Sequence, residues 1–581
     1  MNTDIHPPQG GFCYTETMFL ANTLKRTIAE KAKLAEDSFS VFMSERPLFG
    51  DFSTNVAFVL AKERKTSPFL AAEDIRTELE QDAGFMALVS RVEVKNGYLN
   101  LFVSPFALAR SLREVAKKEP LPAQRTVLVE YSSPNIGKSL SIAHIRSTII
   151  GDALARMYGF LGYAVVTDSH VGDWGMLAGK LIAAYKLFAR KPVSQLTIKD
   201  MQELYVHFTT YEKEKPEYTE MARQETVKLQ QEDRQSMRMW RVLEKNSLKE
   251  FSRMYKILGI QKFSYQHGES YYRKYTEQVV PLFMAKGIAQ ESQGAIIVDL
   301  AEAHLPPMLI QKSDEGFLYA TSDLATIMER EKAIRPDEVL YVVANEQALH
   351  FEQLFAAANK AGLSSGTKLV HVKFGMILGQ DKKKLSTRRG KSILLEEVIN
   401  EAVAKARELA KTKNAELPDQ ELDRVAHAIG IAAVKYNDLS QNRNTDIVFD
   451  WDKMLSLDGN SAPYIQYTYA RLQSILRKAH ARASSLRPAD FPLLEQEERD
   501  LVRLCARFKD VIQSACHDNL PNLLANFLYE TASRANAWYE KYPVIASEGS
   551  IKRARLSLAH AVCTTLKTGL GLLGISVLEK I

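Results

Sequence analysis

Two Gly-Lys-Ser tripeptides are the first candidates for phosphate chemistry in this sequence. Gly137-Lys138-Ser139 follows the apolar run TVLVEY, and Gly390-Lys391-Ser392 lies in the basic stretch KKKLSTRRGKS. A phosphate-binding P-loop has the form G-x-x-x-x-G-K-[ST], and its first glycine permits the turn that points backbone N–H groups at phosphate. That glycine is replaced by Ser132 in the first stretch and by Leu385 in the second. The tripeptides therefore do not predict a P-loop.

The first stretch still has the organisation of a nucleotide site. A predicted strand, RTVLVEY, leads through a turn at Pro134 and Asn135 into a helix predicted from about Ile142 to Leu161. In a parallel α/β sheet this edge is the usual ligand crevice, and free N–H groups at a helix N-terminus favour bound phosphate. Lys138 and His144 add donors on the same turn. An ordinary strand-to-helix connection with an incidental histidine is the alternative.

Strands and helices that alternate along the middle of the chain must position these residues. A second strand, YAVVTDS, follows the first helix, whose apolar residues recur at three- and four-residue steps, and Gly162 is placed to end that helix. Such strand–helix–strand units pack as a parallel sheet. Charged helical sequence interrupts the alternation at about 190–260, and the sequence after Leu394 is predicted to be all helical.

Composition excludes several classes of protein. With 46% hydrophobic and 25% charged residues in 581, the chain can bury several cores and is neither fibrous nor disordered. No apolar run approaches the roughly 18 residues of a membrane span, and the N-terminus does not resemble a secretory signal, so we predict a cytoplasmic protein without a membrane partner. The net charge of +6 is small for this length. Four cysteines, with no CxxC pair and no zinc-finger spacing, predict neither disulfides nor zinc: Cys13, Cys505, Cys516 and Cys563.

Several stretches, in order along nearly the whole chain, resemble the arginyl-tRNA synthetases, a class I aminoacyl-tRNA synthetase family. The specific ones are VEYSSPN, HVGDWG and YATSDLA, supported by GDFSTNVAFVLAKE, YVVANEQALHFEQLF, APYIQYTYARLQSILRKA and LKTGLGLLGI. The two class I ATP signatures, HIGH and KMSKS, correspond to Ser141-Ile142-Ala143-His144 and Lys384-Leu385-Ser386-Thr387-Arg388.

The resemblance implies an arginine–tRNA ligase. The carboxylate of L-arginine would attack the α-phosphate of ATP, giving arginyl-adenylate and pyrophosphate, and arginine would then pass to the 3′ end of its tRNA. ATP is then a substrate, Mg²⁺ accompanies its phosphates, and the protein is a monomer; family members commonly need tRNA bound before arginine is activated.

The implied fold is α/β, with a Rossmann-like parallel-sheet catalytic domain that carries helical insertions. An N-terminal α/β module and a C-terminal all-α helical-bundle domain flank it. The predicted boundaries are 1–120 for the module that contacts the tRNA elbow, 121–395 for the catalytic domain and 396–581 for the anticodon-binding bundle.

The resemblance also implies residue roles. The catalytic residues would be Lys138, Ser141, His144 and Lys384. ATP would bind Ser141, Ala143, His144, His350, Lys384, Ser386 and Arg388. The arginine pocket would comprise Glu130, Asn135, His170, Asp173, Tyr319, Asp323 and Gln347. Asp323 is the best candidate for the guanidinium, because a carboxylate accepts its N–H groups bidentately; an N-cap role for Asp323 and a core role for His350 are the alternatives.

Three positions depart from the family pattern. Ser141 replaces the first histidine of HIGH, Ala143 replaces its glycine, and Thr387 replaces the second lysine of KMSKS, for which Lys138 can compensate. The first two motivate a rival function, a tRNA-binding protein that kept the fold but lost ligation. A synthetase for another amino acid is a third possibility, which must explain why both Glu130 and Asp323 are acidic.

The tRNA contacts are predicted from charge and aromatic residues. Lys478 and Arg482 follow Arg471 by seven and eleven positions. A continuous helix would therefore place all three on one face, where they could meet phosphates. Trp538 could stack on an unpaired base, and Tyr98 and Asn100 of the N-terminal module are possible base readers. A solvated face and core packing are the respective alternatives.

Overall fold

The computed structural model describes residues 19–44, 49–115, 125–313, 318–379, 393–480 and 487–580. In these ranges no helix combines the length and apolar character that a membrane crossing requires.

The N-terminal module packs helices against one antiparallel sheet. Its elements are α1 (Phe19–Ala32), β1 (Val41–Met43), β2 (Phe52–Thr54), α2 (Val56–Arg64), α3 (Pro68–Glu80), α4 (Ala83–Leu88), β3 (Val89–Lys95), β4 (Tyr98–Val103) and α5 (Pro105–Glu114). The strand order is β1-β2-β4-β3. The stretch RVEVKNGYLNLFV forms the β3–β4 hairpin, because Asn96 and Gly97 both have positive φ and make the tight turn between the strands.

The catalytic region is built on a four-stranded parallel sheet. Its elements are β5 (Thr126–Glu130), α6 (Ile142–Phe160), β6 (Ala164–Asp168), α7 (Gly175–Phe188), α8 (Ile198–Glu212), α9 (Pro216–Gln230), α10 (Arg234–Ile257), α11 (Glu269–Ala285), β7 (Ala289–Ser292), β8 (Ala295–Val298), β9 (Met308–Gln311), α12 (Tyr319–Ala333), β10 (Glu338–Tyr341), α13 (Ala348–Lys360), β11 (Lys368–His371) and β12 (Ile377–Leu378). The predicted α/β fold is confirmed. Helix α6 ends at Phe160, and Gly162, predicted to end it, has φ +95°.

The order of the central strands creates a crevice. They run β11-β10-β5-β6, all parallel, while β7, β8 and β9 form a separate antiparallel sheet. The chain leaves β5 towards β6 on one side, and β10, on the other side of β5, continues to β11. The direction of winding therefore changes between β5 and β10, and ligands of such sheets bind at the carboxyl ends of the strands on either side of that point.

The C-terminal region is helical apart from one two-residue strand. Its elements are α14 (Leu395–Lys413), α15 (Asp419–Leu439), β13 (Ile447–Val448), α16 (Trp451–Met454), α17 (Ala462–Lys478), α18 (Gln496–Ala506), α19 (Phe508–His517), α20 (Pro521–Lys541) and α21 (Gly549–Leu572). Strand β13 pairs in parallel with β12. The predicted all-α character therefore holds except where the chain returns to the catalytic region.

Buried charges join the bundle to α6, the helix that follows the first strand of the site. Arg146 lies in the second turn of α6, and its Nε is 3.1 Å from Asp438 of α15. Lys435, one turn earlier on α15, lies 4.0 Å from Asp152 of α6 and also donates to the carbonyl oxygens of Leu258 and Gly574. Because removing one partner of a buried ion pair leaves an uncompensated charge, these contacts fix α6 firmly against the bundle.

Candidate active site

The turn from β5 to α6 is held in an uncommon conformation. Ser132 has φ +52°, a left-handed geometry that costs a non-glycine residue roughly 1 kcal/mol or more. Buried hydrogen bonds hold it there: its N–H donates to Ser147 Oγ (3.0 Å), its Oγ accepts from Thr148 (2.6 Å) and its carbonyl accepts from Ser169 (2.8 Å). Serine thus occupies the position where a P-loop has glycine, without forming one.

The glycine of the first Gly-Lys-Ser tripeptide has a packing role. Gly137 has φ +72°, and a Cβ there would lie 2.5 Å from a methyl group of Leu181. Its N–H donates to the hydroxyl of Ser247 at 3.0 Å. This N–H is therefore already bonded within the protein and is not presented to phosphate.

His144 lies in the first turn of α6 with a defined ring orientation. The backbone N–H of Ser141 donates to its Nδ1 at 3.1 Å, and the Ser141 hydroxyl is 3.0 Å from the same atom. Because Nδ1 accepts from an N–H, the proton of the neutral ring is on Nε2. Burial lowers the pKa of His144, and the charge of Lys138 lowers it further. The residue is therefore a neutral donor at a helix N-terminus, next to the exposed Ala143.

Lys138 is placed by the helical insertion. Its ammonium lies 4.3 Å from the ring centre of Tyr205 on α8, a cation–π contact that holds the side chain while its charge stays available. The helical insertion therefore packs beside the N-terminus of α6 through Tyr205.

The KMSKS counterpart, with Lys384, Ser386 and Arg388, lies outside the described residues. The residues that follow it pair with the HIGH counterpart: the N–H of Ile142 donates to the carbonyl of Ile393 (3.0 Å), and the N–H of Leu395 donates to that of Leu140 (2.9 Å). The chain that follows the second signature is thereby hydrogen-bonded to residues at the first.

The predicted arginine-binding residues occupy the carboxyl edge of the sheet. Asp323 on α12 contacts His350 on α13, with 2.6 Å between the carboxylate and Nε2. This hydrogen bond raises the pKa of His350. Tyr319 begins α12 and is 72% exposed. Exposed Asn135 follows β5 and exposed Gln347 follows β10, so both reach the same edge.

Glu130 has a partner that the sequence did not indicate. It is the last residue of β5, is buried, and lies 2.6 Å from a guanidinium nitrogen of Arg330 on α12. One of its oxygens is therefore engaged within the protein. The guanidinium is also 2.7 Å from Asp168, so Glu130 belongs to a buried cluster of three charges.

Asp173 and His170 differ in accessibility, since Asp173 is buried and His170 is half-buried. Asp173 is buried and accepts hydrogen bonds from the N–H and the hydroxyl of Ser270, at the start of α11. Burial raises the pKa of Asp173. His170 packs against the ring of Tyr272, and its buried Nδ1 has no hydrogen-bond partner among the described residues. Asp173 therefore holds the start of α11 through Ser270, and its predicted contact with arginine stays a prediction.

Glu269 is a further carboxyl group near Asp173 and Asp323 that no sequence motif indicated. It begins α11, and desolvation, followed by the charges of Asp173 and Asp323, raises its pKa to about 8. The pKa of Glu244 on α10 is also raised, to about 7, by burial and then by the charge of Asp173. No local pattern marks these residues, because the charges that perturb them are far away in sequence. Desolvation and mutual repulsion disfavour the ionised forms of these crowded carboxyl groups. A bound cation would favour the ionised forms, so the group suits a cationic ligand.

Two residues that were predicted to contact tRNA, Asn100 and Trp538, are buried in the structure. Asn100 is 4% exposed and accepts a hydrogen bond from Ser53, its cross-strand partner on β2. Trp538 is 2% exposed and donates its indole N–H to Glu498. A contact between either side chain and a base stays a prediction, and both side chains already have a partner within the protein. Tyr98, by contrast, is exposed, and its ring lies edge-on to Phe58 at 4.9 Å.

Arg471 and Lys478 share a cleft on the bundle. The Arg471 guanidinium lies 4.8 Å from the ring centre of Tyr467 and 5.7 Å from that of Tyr539. A cavity of about 650 Å³ is lined by Arg471, Lys478 and Tyr539, among others. Helix α17 ends at Lys478, so Arg482 lies beyond it, outside the described residues.

The described ranges contain no group of three or more His, Cys, Asp or Glu side chains arranged to hold a metal ion. Cys505, Cys516 and Cys563 are buried free thiols, and Cys13 lies outside these ranges.

Three family models match successive parts of the chain. They are the arginyl tRNA synthetase N terminal domain over residues 18–103, the catalytic domain of class I (R) tRNA synthetases over 108–451, and the DALR anticodon binding domain over 465–581.

Named proteins agree over nearly the full length. An arginine–tRNA ligase of Laribacter hongkongensis is 38% identical over 550 residues, which cover 92% of this chain and 95% of that protein. The arginyl-tRNA synthetase structure from Plasmodium falciparum superposes with a TM-score of 0.80 at 26% identity, covering 96% of this chain and 98% of that one. The arginyl-tRNA synthetase structure from Thermus thermophilus also superposes with a TM-score of 0.80, at 23% identity, covering 97% of this chain and 100% of that one. It supports the fold.

Proposed function

The chain belongs to the arginyl-tRNA synthetase family and is an arginine–tRNA ligase, and from this premise we propose which residues carry out its reaction. The main observation is a neutral histidine donor at the N-terminus of α6 on the same sheet edge as an acidic pocket. The first suits the α-phosphate of ATP and the second suits the guanidinium of arginine.

His144 donates from Nε2 to an α-phosphate oxygen and stabilises the charge that develops there as the arginine carboxylate attacks. Its proton position supports this role, since the Ser141 N–H leaves Nε2 as the donor. Orientation comes from the Ser141 backbone, which explains why serine can replace the first histidine of the signature. Lys138 adds positive charge at the same turn, and Lys384 with Ser386 and Arg388 faces the departing pyrophosphate.

Asp323, Glu269 and Tyr319 surround the substrate guanidinium. The electrostatic influence of Asp323 on Glu269 supports this grouping. Glu130, with Asn135 and Gln347, holds the α-amino end, while His170 and Asp173 support the pocket from behind. His350, hydrogen-bonded to Asp323, orients that carboxylate and borders the ATP side.

Mg²⁺ accompanies the ATP phosphates. A Mg²⁺ ion prefers oxygen ligands, which the ATP phosphates supply, and keeps several waters. The ion would offset phosphate charge, while the protein side chains position ATP.

The tRNA is contacted by Arg471 and Lys478 on the bundle and by Tyr98 on the N-terminal module. We retain the domain limits 1–120, 121–395 and 396–581 as a proposal, together with a monomeric, cytoplasmic protein that has no membrane partner. Loss of ligation, the rival function, is not favoured, because His144 keeps its donor geometry despite Ser141 and Ala143.

The test measures amino-acid-dependent pyrophosphate exchange and tRNA charging with each of the twenty amino acids. Arginine alone should support both reactions. His144→Ala should lower kcat by about 10²–10³-fold, the usual loss for one preorganised donor, whereas His427→Asn, at an exposed histidine on α15, should not. Efficient charging of another amino acid, or full activity of His144→Ala, would refute the assignment.

A further inference from the structure

Arg330 connects the guanidinium site to the strand ends beneath it. It lies seven residues after Asp323 on α12, on the same helix face, and its side chain is 2% exposed. One terminal nitrogen is 2.6 Å from Glu130 and 2.7 Å from Asp168. Those two carboxylates end β5 and β6 and are direct partners in the parallel register. Arg330 therefore bridges two like charges that the sheet places side by side.

The surroundings of this cluster offer Arg330 little else. Tyr341 of β10, in register with Glu130, has its ring centre 5.8 Å from the guanidinium. Tyr272 of α11 donates to Asp168 at 3.4 Å. The hydroxyl of Tyr271 donates to Glu329 on α12, so Glu329 already has a partner. The Nε and Nη1 atoms of Arg330 have no hydrogen-bond partner in the described part of the chain. Burying a guanidinium so incompletely bonded costs stability, so folding alone does not account for it.

We propose that Arg330 is a positioning residue for arginine recognition: it offsets the charge of Asp168 and holds the Glu130 carboxylate in place, with one oxygen directed at the substrate ammonium. Two carboxylates and one guanidinium leave a net charge of −1, which matches the single charge of an α-amino group. The inference rests on the proposed role of Glu130. It adds recognition of the substrate α-amino group, which is separate from recognition of the guanidinium by Asp323.

The decisive measurement compares substrate analogues. Arg330→Met should raise the KM for arginine by about tenfold or more, since a charged partner is lost, and should raise the inhibition constant of agmatine, which keeps the amino group, in parallel. Deaminoarginine, which lacks the α-amino group, should inhibit within about twofold of wild type. An equal rise for all three ligands would indicate general collapse of the pocket, and no change for any of them would show that Arg330 is irrelevant to binding; either result overturns the proposal.

A charge-balanced variant covers the case in which Arg330→Met does not fold. Arg330→Met with Asp168→Asn removes one charge of each sign, keeps the net −1, and should bring arginine and agmatine back to within about threefold of wild type. Arg330→Lys keeps a cation that cannot span both carboxylates and should be intermediate. If the double variant folds but its KM for arginine stays at least tenfold raised, the proposal fails.

Two controls accompany this test. A second arginine variant controls for loss of stability, and the wild type tests the proposed function. Arg555→Met removes a half-buried arginine, 2.8 Å from Glu498 in the bundle, and should lower stability without changing the analogue pattern. If the wild-type chain makes no arginyl-adenylate, the proposed function itself has failed, whatever the behaviour of Arg330.

Discussion

Arginine binding should drive a proton off Glu269, and Glu269→Gln should abolish that linkage. The pKa of Glu269 is about 8 because its carboxyl is desolvated and faces Asp173 and Asp323. At pH 7 the empty pocket therefore holds Glu269 protonated by roughly ten to one, and ionising it costs about 1.4 kcal/mol, or tenfold in affinity. A bound guanidinium favours the ionised form. Affinity must then rise with pH and level off above about pH 8.

The expected size follows from a single titration. With a pKa of about 8, the KM for arginine should fall about 50-fold between pH 6 and pH 8, because the fraction of ionised Glu269 rises by that factor. Pyrophosphate exchange at saturating ATP, with tRNA present, gives the KM at each pH. Calorimetry in buffers of different ionisation enthalpy counts the released protons. In Glu269→Gln the KM should vary little over the same range, and titration of ATP itself affects both proteins equally.

The same pKa has a consequence for the free protein. Between about pH 4.5, the ordinary value, and about pH 8 the folded state holds a proton that the unfolded chain has lost, so the free energy of unfolding falls as pH rises. Thermal unfolding of the ligand-free protein should show this loss, and Glu269→Gln should reduce it. Identical pH dependence of KM in wild type and variant would refute the assignment of Glu269 to the arginine pocket.

Further substitutions test other parts of the site. Asp323→Asn should raise the KM for arginine about 10- to 150-fold, equivalent to the roughly 1.5–3 kcal/mol of a hydrogen bond to a charged group; an unchanged KM in the exchange assay would remove Asp323 from the pocket. Ala143→Gly should lower the KM for ATP several-fold and lower the free energy of unfolding by about 1 kcal/mol, and no change in the KM would mean that adenine does not lie there. Trp538→Phe should lower the free energy of unfolding by about 1–3 kcal/mol, because Glu498 loses a buried donor, and leave the KM for tRNA unaltered. Arg471→Gln should weaken tRNA binding and reduce its salt dependence by about one counterion; an unchanged salt slope would argue against a phosphate contact.

Local patterns in the sequence were enough to predict the α/β class, helix α6 and its end near Gly162, the helical insertion and the helical C-terminal region. Each depends on residues within a few turns of one another, such as the apolar stripe of α6. The site positions came from motif resemblance, which places residues in order but does not specify their partners.

Tertiary structure decided which of these residues are free to act. Asn100 and Trp538 are polar or aromatic residues that could read bases, yet each is buried with a partner 47 or 40 positions away. Glu130 meets Arg330 across 200 positions, and Glu269 acquires its pKa from Asp173 and Asp323. Burial and charge pairing depend on contacts between distant segments, which no local periodicity encodes. The sequence by itself determined the elements and their order, and the folded chain determined which charges are already neutralised and which remain for the substrate.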